Sequence, residues 1–150
     1  MKAIASELTL LIDRYKAALL DIPESKRLIK PGPQKWSKTE IIGHLVDSAQ
    51  SNIRRFIIAQ YEETPKIVYD QEAWVKFSNY QLYNFTDLVE FWYLSNKHIC
   101  HILENMTAEN EKKTCTTKEV HDLKWLALDY IKHLKHHLYQ VLELEEIPYP

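Results

Sequence analysis

Apolar side chains recur at helical spacing in four long stretches of the chain. Ile4, Leu8, Leu11, Ile12, Tyr15 and Leu19 share one face of a stretch over about residues 4–20, which stops before Pro23. A second stretch opens at Ser37, where Glu40 three residues later completes a capping box, and runs on through Ile41, Leu45, Ala49, Ile53, Phe56 and Ile57. A third begins near Thr86 and continues through "LVEFWYLSNKHICHILENM". The fourth covers about residues 117–145, with Leu123, Leu126, Tyr130, Leu134, Leu138 and Val141 on its apolar side. Between the first two lies "PESKRLIKPGPQKW", whose three prolines and Gly32 predict a long connection without regular structure. The pattern breaks again at Pro65, leaving room for a short helical turn around Trp74. With no internal repeat or low-complexity tract, these stretches predict an all-α four-helix bundle forming a single domain over residues 1–150.

Composition narrows the picture. Two glycines in 150 residues leave little material for hairpin turns or phosphate-cradling loops. Nineteen basic against 21 acidic side chains give a formal charge of −2, so no basic field exists to hold nucleic acid or an anionic membrane, and a small molecule or a protein is the expected partner. Glu7, Asp13, Arg14 and Lys16 interrupt the first helix, which therefore does not read as a signal peptide, and no segment approaches the roughly 18 apolar residues of a membrane span. The expectation is a soluble cytoplasmic protein whose two cysteines, Cys100 and Cys115, are free thiols.

Candidate chemistry concentrates in the last helix. At about 100° per residue, His137 falls among Leu126, Tyr130 and Val141, and His133 lies about 40° to its side, whereas His136 is turned about 100° away. An HxxxH pair one turn apart brings two imidazoles within reach of one divalent ion. A third ligand is needed, and His44 in "EIIGHLVDSAQ" is the candidate. Its helix phase, well over 100° from the face carrying Ile42, Leu45 and Ala49, does not place it in the core: it either reaches a site at the open end of the bundle or stands exposed.

Three blocks in order, "KWSKTEIIGHLVDS", "YDQEAW" and "YIKHLKHHLYQV", resemble the DinB superfamily and especially its YfiT-like branch. The resemblance implies a four-helix bundle of unusual connectivity. It also implies a divalent metal, zinc or nickel, held by His44, His133 and His137, with His136 the member of the "HH" pair that does not bind it. It carries no role for Asp47, Asp70 or Trp74.

Three neutral imidazoles leave an ion open positions for water or substrate, as in catalytic sites. Such an ion generates a hydroxide, polarises a carbonyl or stabilises a thiolate. The resembled superfamily includes enzymes that transfer low-molecular-weight thiols such as bacillithiol and others described as metal-dependent hydrolases. Thiol S-transfer is the preferred expectation, because positions 134 and 135 are Leu and Lys and no Glu beside the HxxxH serves as general base. The alternatives are hydrolysis and a non-catalytic helical module for binding or homodimerisation. In "HICH", His98 and Cys100 diverge by about 200° and do not form a site. Cys115 reads as a cysteine in a polar connection, Tyr130 as a buried ring with its hydroxyl at a rim, and His121 as exposed.

Overall fold

The computed structural model of the protein describes residues 1–145; residues 146–150 of the expected 1–150 domain lie outside the described residues. Among the described residues six helices follow one another: α1 (Lys2–Leu20), α2 (Glu24–Arg27), α3 (Lys38–Ile58), α4 (Gln71–Ser78), α5 (Phe85–Glu104) and α6 (Leu123–Leu142). Short 3-10 turns occupy Tyr80–Leu82 and Asn110–Lys112, and two strands, β1 (Thr114–Thr116) and β2 (Val120–Asp122), form an antiparallel hairpin.

The four long helices, α1, α3, α5 and α6, make the bundle. Both α1 and α3 pack against α5 and α6, so the two consecutive long helices α1 and α3 stand at opposite corners. A tight turn cannot join diagonal helices, which accounts for the Pro-rich connection over residues 21–37 and for the single turn of α2 inside it. Leu8, Ile12, Ile42, Leu45, Trp92, Ile99, Leu134 and other fully buried side chains fill the centre, each worth about 1.5–3 kcal/mol in burial where it is a large aliphatic.

The capping box at the head of α3 is present. Ser37 Oγ accepts the Glu40 N–H at 3.3 Å, and Glu40 Oε2 accepts the Ser37 N–H at 2.8 Å. Lys38 then ties this end of α3 to the far end of α6 by donating to the Val141 carbonyl and pairing with Glu143 at 3.0 Å. The two helices therefore run antiparallel, which sets the first turns of α3 opposite the last turns of α6.

Several expectations change, and the connection expected to have no regular structure holds α2. The last helix starts at Leu123, not near Thr117, because residues 114–122 form the hairpin and Asp122 supplies the real N-cap, its Oδ1 accepting the Trp125 N–H at 2.6 Å. The hairpin turns without glycine, the Thr117 N–H bonding to the Glu119 carbonyl at 2.9 Å. The helix also ends at Leu142 instead of near residue 145, where Glu143 adopts left-handed φ 58° and ψ 39°. Cys115, read as a loop cysteine, is fully buried on β1, its thiol donating to the Pro65 carbonyl at 3.2 Å. Its strand gains a second neighbour through a parallel bridge between Lys66 and Thr116, which anchors the segment leading to Tyr69.

Candidate metal centre

His44 is 1 % exposed, so its wheel position, away from the apolar face of α3, is misleading. Every residue from Thr39 to Ala49 is buried, because α3 is packed on by α4, α5, α6 and the 3-10 turn at Tyr80–Leu82. An apolar stripe marks a buried face only for a helix that also has a wet one. Here the polar side of α3 is the wall of a site.

Ring nitrogens of His44, His133 and His137 all lie within 4.8 Å of one another. Nε2 of His44 is 3.0 Å from Nε2 of His133, and the His137 ring centroid is 4.9 Å from that of His44 and 4.6 Å from that of His133. Trp36 also packs near the His44 ring, with centroids 4.9 Å apart. At a metal–nitrogen distance of about 2.0–2.1 Å, tetrahedral ligands stand about 3.3 Å apart, so the pair at 3.0 Å needs to open by only a few tenths of an ångström to flank an ion.

The electrostatics suit the same purpose. Burial, followed by the neighbouring His137, holds the His44 pKa down to about 3. Burial lowers His137 to about 4 against the opposing hydrogen bond from Gln140, and burial with the three neighbouring histidines holds His133 well below the ordinary range. All three rings therefore stay neutral near pH 7 and keep the lone pair that a metal requires.

Their outer nitrogens are partly anchored. Nδ1 of His137 donates to Oε1 of Gln140 at 3.1 Å, which fixes the proton there and leaves Nε2 for an ion. Nδ1 of His133 lies 3.5 Å from Ser48 Oγ, one turn beyond His44 on α3. Among the described residues, Nδ1 of His44 is buried with no hydrogen-bond partner. The donor set therefore fits a divalent ion: three neutral imidazoles converge, two with their outer nitrogens supported.

A cavity of about 770 Å³ reaches the centre between α3 and α6. His133 and His137 line it together with Ser48, Asn52, Tyr69 and Asp129. His136 lies on its wall but outside the three-nitrogen cluster, as its phase predicts. The Tyr69 hydroxyl, raised to about 12 chiefly by burial, remains a proton donor at neutral pH and hydrogen-bonds with Ser48.

Residues 7–141 match the sequence model of the DinB superfamily. The chain belongs to the DinB superfamily. A curated protein of Bacillus mycoides (strain KBAB4), named "Putative metal-dependent hydrolase", is 27% identical over 150 residues, covering 91% of this chain and 86% of that protein. YfiT from Bacillus subtilis, described as "a probable metal-dependent hydrolase with an unusual four-helix bundle topology", superposes with a TM-score of 0.85 at 21% identity, covering 94% of this chain and 83% of that one. This DinB chain shares that overall fold over 94% of its length.

The DinB motif blocks acquire physical reasons. In "GHLVDS", Gly43 leaves room for the Tyr80 ring, His44 faces the cluster, Asp47 accepts the Tyr80 hydroxyl at Oδ1, and Ser48 reaches His133. In "YDQEAW", Tyr69 enters the cavity, and Asp70 caps α4 by accepting the Ala73 N–H at 3.0 Å. Trp74 packs edge-on against Tyr69, with ring centroids 5.4 Å apart. Sequence reasoning missed Tyr69, Tyr80 and Gln140. Gln140 had a usable signal, lying three residues after His137 on the same helix face.

The remaining candidates lie outside the three-nitrogen cluster, although Tyr130 and His121 line the same cavity. His98 and His101 are exposed while Cys100 is buried, so "HICH" does not converge. Tyr130 is buried to its tip, its hydroxyl donating to Asn96 Oδ1 at 2.6 Å, and burial raises its pKa. His121 is half-buried and stacks on Trp125 with centroids 3.6 Å apart, where exposure was expected. No helix of the described residues is long and apolar enough to cross a membrane.

Proposed function

We propose that the protein is a metal-dependent enzyme in which His44, His133 and His137 hold one divalent ion, zinc or nickel, and that it transfers a low-molecular-weight thiol to a small electrophile. The observation that carries this reading is the convergence of three neutral ring nitrogens beside a cavity that His133 and His137 line and that is large enough for a small substrate. Bound there, the ion would supply Lewis acidity that favours the thiolate over the thiol near neutral pH.

The chain's own groups do the rest. Gln140 and Ser48 support the outer nitrogens of His137 and His133 and so orient their rings. Tyr69 offers a hydroxyl proton to the cavity beside Ser48. In the transfer, the substrate sulfur gives its proton to water in the cavity and forms a bond to an electrophilic carbon, whose leaving group departs with its electron pair and is protonated in turn by water.

Hydrolysis is the second reading, favoured by the names of the two relatives and by Asp129, a carboxylate on the cavity wall one turn before His133. Against it, the positions following His133 are filled by Leu134, which is fully buried, and Lys135, which pairs with Glu7 at 2.7 Å. The decisive experiment loads the untagged protein with zinc or nickel and offers small thiols with a chromogenic electrophile beside a panel of esters and amides. Metal-dependent thiol consumption that disappears in His137→Ala supports transfer, whereas metal-dependent ester or amide cleavage alone establishes the hydrolase.

A further inference from the structure

Two buried polar atoms on one face of α3 have no hydrogen-bond partner among the described residues: Nδ1 of His44 and Oδ2 of Asp47. Both residues are 1 % exposed, so water does not readily supply what the protein omits. Leaving a buried donor or acceptor unpaired costs about 1–3 kcal/mol, and two such atoms rarely persist within one helical turn without a use. Residues three apart on a helix are neighbours, with Cβ atoms about 5–6 Å apart.

The chemistry of the two atoms is complementary. If Nε2 of His44 gives its lone pair to an ion, the ring proton must sit on Nδ1, and that N–H then requires an acceptor. Asp47 has one in reserve. Its Oδ1 already accepts the Tyr80 hydroxyl, which fixes the carboxyl group from the other side and leaves Oδ2 as the remaining acceptor. Gly43 makes this arrangement possible, because any Cβ at that position would collide with the Tyr80 ring that carries the hydroxyl. The other two histidines are already provided for, His137 by Gln140 and His133 by Ser48.

We propose that Asp47 is the positioning residue of His44: in the metal-bound protein its Oδ2 accepts a hydrogen bond from His44 Nδ1–H, while Tyr80 holds its Oδ1. The pair completes the support of the three-histidine centre, and the inference rests on that centre binding metal through His44. Asp47 touches neither substrate nor ion; it sets the tautomer and the ring angle of the ligand, and its loss acts through affinity.

The test measures zinc affinity of the untagged full chain by competition with a chromogenic chelator. It compares wild type, Asp47→Ala, Asp47→Asn and Tyr80→Phe, with folding followed by circular dichroism. Asp47→Ala is expected to lose about 10–100-fold in affinity, with Asp47→Asn falling between it and wild type because an amide oxygen is a weaker acceptor. In zinc-loaded wild type, the His44 Nδ1 proton is expected as an exchange-protected NMR resonance that moves in Asp47→Asn. This readout needs only the isosteric variant, which keeps the proposal testable should Asp47→Ala fail to fold. A purely structural role for Asp47 would lower thermal stability while leaving both affinity and this resonance unchanged, and that result overturns the proposal. Zinc binding that His44→Ala does not weaken overturns the three-histidine centre itself, and the role of Asp47 with it.

Discussion

The ring of Tyr80 occupies the space where Gly43 would carry a side chain: a Cβ placed there would lie 2.2 Å from Cδ2 and 2.3 Å from Cγ of the tyrosine. Helix propensity favours Ala over Gly by about 0.8–1 kcal/mol, whereas overpacking a tight contact costs about 1–3 kcal/mol. The clash involves the body of the ring and not a flexible tip, so packing should win. Gly43→Ala is therefore expected to destabilise the protein by on the order of 1–2 kcal/mol, measured by urea denaturation. A stabilised variant would show that the ring yields freely and that the close approach is not required.

The geometry of the cluster predicts a sharp division among neighbouring histidines. Single changes of His44, His133 or His137 to Ala should each remove most of the bound metal, read by elemental analysis of untagged protein. His136→Ala should retain most of it, since His136 lies on the cavity wall outside the group of converging nitrogens. Equal loss from His136→Ala and His133→Ala would mean that the ion sits elsewhere in the cavity.

Acid should destabilise the metal-free protein in a definite window. The folded pKa values of His44 and His137, about 3 and about 4, lie below the ordinary value of 6.5, and His133 is displaced in the same direction. Below pH 6.5 the unfolded chain binds protons that the folded one refuses, so stability present above that pH is lost on acidification. Each displaced histidine contributes up to about 1.4 kcal/mol per pH unit between its two pKa values. Asp47, pushed up to about 6 by burial against the opposing Tyr80 hydrogen bond, has the opposite sign. It is easier to protonate in the folded state, so it penalises folding as pH rises through 6 and partly offsets the histidines between its two pKa values. The net expectation, with three groups against one, is a melting temperature that falls between pH 6.5 and pH 4, by calorimetry. A melting temperature that is flat or rising on acidification across that range would contradict the burial of the cluster as neutral rings.

The four long helices were legible because each carries an apolar stripe at helical period, and the α3 start because Ser37 and Glu40 form a capping box within four residues. The HxxxH phase separated His136 from its neighbours by direction and not by depth: all three are half-buried, but only His133 and His137 bring nitrogens to His44. On the first half of α3 phase does not report depth. Its residues are buried on every side by partners distant in sequence, and the depth of His44 is a property of those partners, Trp36, Tyr80 and α6 among them. The hairpin was hidden in a different way. Its strands are three residues long and their turn contains no glycine, so it carried neither the alternation nor the turn signal that marks longer hairpins. The resemblance to the DinB superfamily supplied what periodicity could not, the pairing of His44 with the last helix, and the structure gives that pairing its geometry.

Gln140 offers the most direct measure of how much the outer nitrogens matter. It accepts the Nδ1 proton of His137 at 3.1 Å and lies three residues along the same helix, so its removal leaves the backbone of α6 and the packing of Leu138 and Val141 in place. In Gln140→Ala, His137 loses the acceptor that fixes its proton on Nδ1, and the neutral ring divides between two tautomers of which only one presents Nε2 to the ion. A loss of about 10-fold in metal affinity is expected, at the lower end for an outer partner because Gln140 is exposed and water can substitute for it. Glutamate at the same position keeps the acceptor and adds charge, so Gln140→Glu should match or exceed wild type. Chelator competition across the three proteins measures this order. Should alanine and glutamate prove equal, the ring of His137 would be held by the cluster and its packing alone, and the hydrogen bond at Gln140 would be incidental.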